Sequence, residues 1–230
     1  MSQPDPLAVL TAPAVPVDRL RRRAIPIPAG LIATSRRQLG LVSREQCRLA
    51  GLPRGRLFRL LERGDWREVT RGVLLVQAEA VEVDDWPARA RQRALVAALA
   101  GGPGTVLLGA AALAMHGIEG PALEYVPEFA KLAGGQARAR PECRQRRLTR
   151  RPDVVGHPKT LTIDDVLVAG PLWAVAQTLP SLERRRAIAV VDSALYRRKL
   201  LRRDLPTLMA ALAGVRNVLA LRESLGLCDG

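Results

Sequence analysis

The chain has 230 residues and a mass of 25.0 kDa, enough for two modest domains that each bury a core. Hydrophobic residues make up 48% and mean hydropathy is +0.02, which excludes a disordered chain. Aromatics at 3% leave Leu, Val and Ala to build a core that favours helices.

The net charge of +14, carried almost wholly by Arg, points to an anionic partner, because a guanidinium meets phosphate as a planar two-pronged fork. The charge is uneven. Residues 1–80 carry 14 basic and 7 acidic groups, 81–135 carry 4 and 6, 136–160 carry 8 and 2, and 161–230 carry 10 and 7. Coding bias raises Arg, Ala, Gly and Pro together, yet 81–135 is rich in Ala and Gly and still mildly acidic, so bias alone does not produce the clustering. Three cysteines, Cys47, Cys143 and Cys228, stand far apart with no CxxC pair, which fits a reducing cytoplasm. No run of eighteen apolar residues and no signal-peptide order is present, so the expectation is a soluble, intracellular protein with no membrane partner.

Residues 1–30 hold six prolines and the RLRRR cluster at 19–23, and read as a mobile basic arm. LIATSRRQLG (31–40) predicts a short amphipathic helix ending at Gly40. Ser43 then reads as the N-cap of a helix from Arg44 to about Ala50, closed by Gly51, and Pro53 opens a third helix. In that third helix Leu57, Leu60 and Leu61 share a core face, while Arg56, Arg59 and Arg63 take the other side with Arg54 at the N-terminal end. WREV and VLLV follow as two strands joined by Thr70, Arg71 and Gly72, the glycine suited to a positive φ. This is the order of a winged helix-turn-helix over 31–80. Its third helix would fit the major groove, with Arg54, Arg56 and Arg59 as base readers and Arg67 and Arg71 on the wing.

Beyond residue 80 the pattern predicts a helix over 86–100, a short helix over 108–115, a strand near 122–127 and a loop at 134–137. The basic block RARPECRQRRLTRRPDVVGH reads as strands bounded by Pro141 and Pro152. TLTIDDVLVAG alternates as a strand pair, Pro171 opens a helix, SLERRRAIAVVDSALYRRKLL is a long helix, and one or two more cover 204–225. The fold class expected is α+β: a winged helix-turn-helix followed over 81–230 by a mixed α/β domain with a helical C-terminal part.

No catalytic chemistry stands out. His116 and His157 lack partners at metal-ligand spacing, and GGPG at 101–104 lacks the Lys-Ser/Thr of a phosphate loop, so no metal and no cofactor is expected. The adjacent carboxylates Asp84/Asp85 and Asp164/Asp165 could serve a magnesium-dependent nuclease, but neighbours in a strand point to opposite faces and both pairs suit turns or helix starts better.

The ordered series GLVSREQCRLAGLPRGRLFRLLERGDWREVTRGVLLV, LVAALAGGPGTVLLGAAALAMHGIEG, TIDDVLVAGPLWAVAQTL and VVDSALYRRKLL resembles the AbiEi antitoxin family of type IV toxin-antitoxin systems over roughly residues 35–205. The resemblance implies a repressor that binds operator inverted repeats in double-stranded DNA ahead of its own operon and opposes a nucleotidyltransferase-type toxin. It puts DNA binding on Arg54, Arg56, Arg59, Arg67 and Arg71, with Arg63 beside them on the same helix. Arg144, Arg146, Arg147, Arg150 and Arg151 are candidates for assisting contacts from the second domain. Two other readings are a protein-binding antitoxin or adaptor that docks through its winged helix, and a metal-dependent nucleic-acid-processing enzyme.

Overall fold

The computed structural model describes residues 5–10, 25–82, 84–122, 124–132, 140–146, 160–214 and 223. It is a mixed α and β structure built on two sheets.

The first sheet and its helices occupy the N-terminal third: α1 (Ala29–Arg37), β1 (Leu41–Ser43), α2 (Arg44–Leu49), α3 (Arg54–Glu62), β2 (Trp66–Thr70) and β3 (Val73–Val76). The start of α2 is held by a reciprocal cap. The Gln46 amide donates to Ser43 Oγ at 3.0 Å and the Ser43 amide donates to Gln46 Oε1 at 2.8 Å. Pro53 sits at the N-cap of α3 in an extended conformation, one place before the first helical residue. Replacing Ser43 by Ala is expected to lower stability by about 1 kcal/mol, read from a denaturant midpoint. An unmoved midpoint would mean that packing alone sets where α2 begins.

The strand order is β1-β3-β2, all antiparallel, and β1 is a strand the pattern did not announce. Gly72 turns the β2–β3 hairpin with φ of 86°. The strands are too short to be told apart by periodicity, yet their side chains alternate cleanly between two cores. Val42, Trp66, Leu74 and Val76 face the helices and pack with Leu31, Cys47, Leu52, Leu57 and Leu60. Leu41, Val69, Val73 and Leu75 face the other way and join the larger core of the rest of the molecule.

That larger body begins with α4 (Trp86–Gly101), whose N-cap Asp85 accepts from the Ala88 amide at 3.0 Å. It continues through β4 (Thr105–Leu108), α5 (Gly109–His116), β5 (Glu128–Lys131), β6 (Arg144–Gln145), β7 (Thr160–Ile163), β8 (Val166–Ala169), α6 (Pro171–Thr178), α7 (Arg184–Tyr196) and α8 (Leu205–Ala211). The second sheet runs β6-β5-β4-β8-β7, with β4 parallel to β8, β5 parallel to β6, and antiparallel pairs elsewhere. Asp164 and Asp165 turn the β7–β8 hairpin with φ of 49° and 63°, so both carboxylate pairs serve turns or caps.

One expectation is corrected here. The strand expected near 122–127 lies at Glu128–Lys131, because Pro121 and Pro127 bracket an irregular stretch and Pro127 has no N–H to give a ladder. TVLL, to which the pattern assigned no strand, is the central strand β4, and the helix expected over 108–115 is α5. The 134–137 loop lies outside the described residues, as does the basic block beyond Arg146.

Within the arm expected over residues 1–30, the described stretch 5–10 is packed against the larger body. Leu7 and Leu10 are buried in the larger core. Asp5 grips the guanidinium of Arg93 on α4 with two bonds of 2.6 and 2.7 Å, and Arg93 also donates to the Tyr125 carbonyl at 3.0 and 3.2 Å. Arg93 is only 4% exposed, and a cation so buried needs these partners. The RLRRR cluster at 19–23 lies outside the described residues.

Candidate nucleic-acid interface

Helix α3 presents its arginines because its apolar positions are spent on the core. Leu57 and Leu60 pack beside Trp66, which leaves Arg54 and Arg59 exposed and Arg56 and Arg63 half-buried at the flanks. Arg59 Nε reaches back to the Gly55 carbonyl at 3.3 Å, along the outer face of the helix. At Gly55 itself a Cβ would meet nothing within 4 Å, so a partner could approach the backbone there directly. The cap residue Pro53 gives no side-chain bond, and the first-turn amides add their positive end to Arg54.

Three arginines elsewhere in this unit are paired with carboxylates, while Arg37 donates to Thr34 Oγ1 at 3.4 Å. Arg36 pairs with Glu79, Arg48 pairs with Glu45, and Arg44 forks onto Glu68 at 3.1 and 3.3 Å. By contrast, among the described residues Arg54 and Arg56 have no carboxylate partner. Glu68 also accepts from the Gly72 amide at 2.9 Å, tying the hairpin turn to the start of α2. Partial burial works against its charge, but the Arg44 fork and the Gly72 amide outweigh this and hold its carboxyl below the usual range.

The two arginines expected on the wing part company. Arg71 is exposed at the hairpin turn, on the solvent side of the unit. Arg67 pairs across the sheet with Leu75, whose side chain lies in the larger core, and its guanidinium donates to the Val9 carbonyl at 3.2 Å. It therefore lies on the sheet face opposite α3.

The second basic block is brought to the same place by contacts that no local pattern could show. Arg140 Nη1 donates to the Arg71 carbonyl at 2.7 Å, and Thr70 Oγ1 donates to Glu142 at 3.0 Å, so the block is clasped to the hairpin turn. Arg144 and Arg146 follow at the sheet edge, at 3.8 and 3.0 Å from the single carboxylate of Glu128. Two guanidinium groups share one carboxylate, which leaves the edge net positive. Arg147, Arg150 and Arg151 lie outside the described residues.

The nucleophilic and titratable side chains point to structure. Burial pushes the thiols of Cys47 and Cys143 up to about 11, so both stay protonated and unreactive at neutral pH. Burial lowers the pKa of His116, whose Nε2 lies 2.8 Å from the Ala169 carbonyl. Among the described residues no three His, Cys, Asp or Glu converge as a metal site, and no helix is long and apolar enough to cross a membrane.

The unit from α1 to β3 is the part of the chain that a known family describes. Residues 31–77 match the family of transcriptional regulators described as the AbiEi antitoxin. No curated protein matches the chain. The matched segment contains Arg54, Arg56, Arg59, Arg63, Arg67 and Arg71, and the Arg140–Arg146 stretch clasped to its hairpin lies outside it. The AbiEi family is one of antitoxins and transcription regulators rather than a class of enzymes.

Proposed function

We propose that the protein is a sequence-specific DNA-binding repressor, the antitoxin of a type IV toxin-antitoxin system that controls its own operon in the cytoplasm. The α1–β3 unit is read as a winged helix-turn-helix: α2 and α3 form the helix-turn-helix, α3 is the reading helix, and the β2–β3 hairpin is the wing. The observation that carries this is the division of charge within the AbiEi segment. Arg36, Arg44 and Arg48 on α1 and α2 are paired with carboxylates and Arg37 turns back to Thr34 Oγ1, whereas among the described residues Arg54 and Arg56 have no carboxylate partner.

In this reading α3 enters the major groove of double-stranded DNA with Arg54, Arg56 and Arg59 toward base edges and Arg63 toward the backbone. Arg71 and the adjoining Arg144 and Arg146 follow the phosphates beside it, with Arg147, Arg150 and Arg151 continuing the block. Arg67 supports the wing from behind, through Val9. The operator is an inverted repeat, and the opposed toxin is of the nucleotidyltransferase type.

The test is a fluorescence-anisotropy titration of the purified chain against its own upstream DNA and a scrambled control at two salt concentrations. A preference for the upstream DNA of about 10³-fold or more is expected. Equal, salt-labile binding to both would reduce the surface to a general polyanion binder and return the winged helix to protein docking.

A further inference from the structure

Away from α3 and the wing, a cavity of about 430 Å³ opens where the start of α4 meets α5 and the segment after it. Trp86, Ala90, Ala114, Ile118 and Tyr125 make mainly apolar walls, with Arg91 and Arg197 at the edge, each held by a carboxylate, Asp164 and Glu119 respectively. The volume suits a small planar group. Trp86 is 55% exposed, and the Arg89 guanidinium lies 5.1 Å from its ring centroid on one face, which leaves the other face for a second planar group.

The chain beside this cavity is strongly basic. Arg197 opens a run with Arg198, Lys199, Arg202 and Arg203, all exposed, and the residue before it, Tyr196, is 80% exposed. Asp204 does not neutralise the run freely, because its carboxylate accepts from the Leu201 amide at 2.8 Å. An apolar slot, an exposed ring and a row of cations in continuity are what an unpaired nucleotide strand needs: stacking for its bases and charge for its phosphates. A duplex keeps its bases paired and could not fill the slot, and an acidic peptide would use the cations but leave the flat walls empty.

We propose that this cavity and the run from Tyr196 to Arg203 form a second nucleic-acid site, for single strands. One unpaired base enters the cavity against Trp86, a neighbouring base stacks on Tyr196, and Arg198 and Lys199 follow the phosphates between them. The site is separate from α3 and goes beyond the repressor reading without resting on it.

The test titrates a fluorescein-labelled oligothymidylate of about 12 nucleotides, within the usual span of single-strand sites, against the full chain at several salt concentrations. Binding is expected to weaken by about 5- to 150-fold in Trp86→Ala or Tyr196→Ala, with the salt slope unchanged. In Arg198→Gln/Lys199→Gln the slope should fall by about 0.7 per lost contact. Arg54→Ala/Arg56→Ala/Arg59→Ala should bind the oligonucleotide like the parent, which separates this site from the repressor surface.

Failure of the parent chain to bind, or unaltered binding by both aromatic variants with intact melting curves, would overturn the proposal. So would displacement by polyglutamate as effective as by unlabelled oligonucleotide. Displacement by thymidine monophosphate at matching concentration would overturn the strand and assign the cavity to a free nucleotide.

Discussion

Replacing Arg54, Arg56 and Arg59 by alanine is expected to erase the preference for operator over scrambled DNA while leaving the melting temperature where it was. Each side chain that reads a base edge contributes about 1–3 kcal/mol of discrimination, so single variants should relax the preference stepwise and the triple variant should remove it. The fold should tolerate the change because Arg54 and Arg59 are exposed and Arg54 and Arg56 have no carboxylate partner among the described residues to be left behind. The contrast lies at the clasped edge. Arg144→Ala and Arg146→Ala should weaken operator and scrambled DNA alike and lower the salt slope by about 0.9 per lost phosphate contact. Equal losses on both DNAs from the α3 variants would remove base reading from this helix.

The second large effect concerns stability and lies in the N-terminal segment. Asp5→Ala leaves the buried Arg93 cation, among the described residues, with the carbonyl and ring of Tyr125 and no carboxylate, and breaking such a pair costs about 3–5 kcal/mol. For a chain of this size that is a fall in melting temperature of roughly 6–20 °C. The pH dependence follows from the same contact. The Arg93 hydrogen bond, foremost, holds the Asp5 carboxyl below its ordinary value against the opposing effect of burial. A depressed folded-state pKa gives stability that is present above the unfolded value of about 3.9 and lost as pH falls through the folded one. The parent should therefore lose this increment in acid, and Asp5→Ala, which has already lost it, should show a flatter acid limb in urea midpoints measured from neutral pH downwards. Parallel acid limbs would show that Asp5 carries no such increment.

What the sequence disclosed follows from how local each signal is. Ser43, Pro53, Asp85 and Pro171 mark helix starts by chemistry confined to a few neighbouring residues, and α2, α3, α4 and α6 begin at or beside them. Strands β1 and β4 left no such mark. Each is three or four residues long and exists through partners far along the chain, Leu41 with Leu75 and Val106 with Leu167.

The site shows the same division. The outward arginines of α3 were readable from the spacing of Leu57 and Leu60. That Arg67 faces away from α3 was implied by its place next to Trp66, but the burial of that second sheet face against α4 was not, and this is what makes Arg67 an inward contact. The clasp of Arg140 on Arg71 joins residues 69 apart in sequence and has no local trace.

The first sheet is a party wall. Leu41, Val69, Val73 and Leu75 are as much part of the larger core as of the α1–β3 unit, and buried Gln92 of α4 donates to the Leu39 carbonyl at 2.6 Å across the same boundary. A fragment cut near residue 80 would carry that apolar face bare into water, where it would seek another copy of itself or unfold. Because the wall is shared, α3 cannot swivel on a hinge as a tethered reading head would. Its orientation is dictated by the whole body, and a molecule that loosens the body loosens α3 with it.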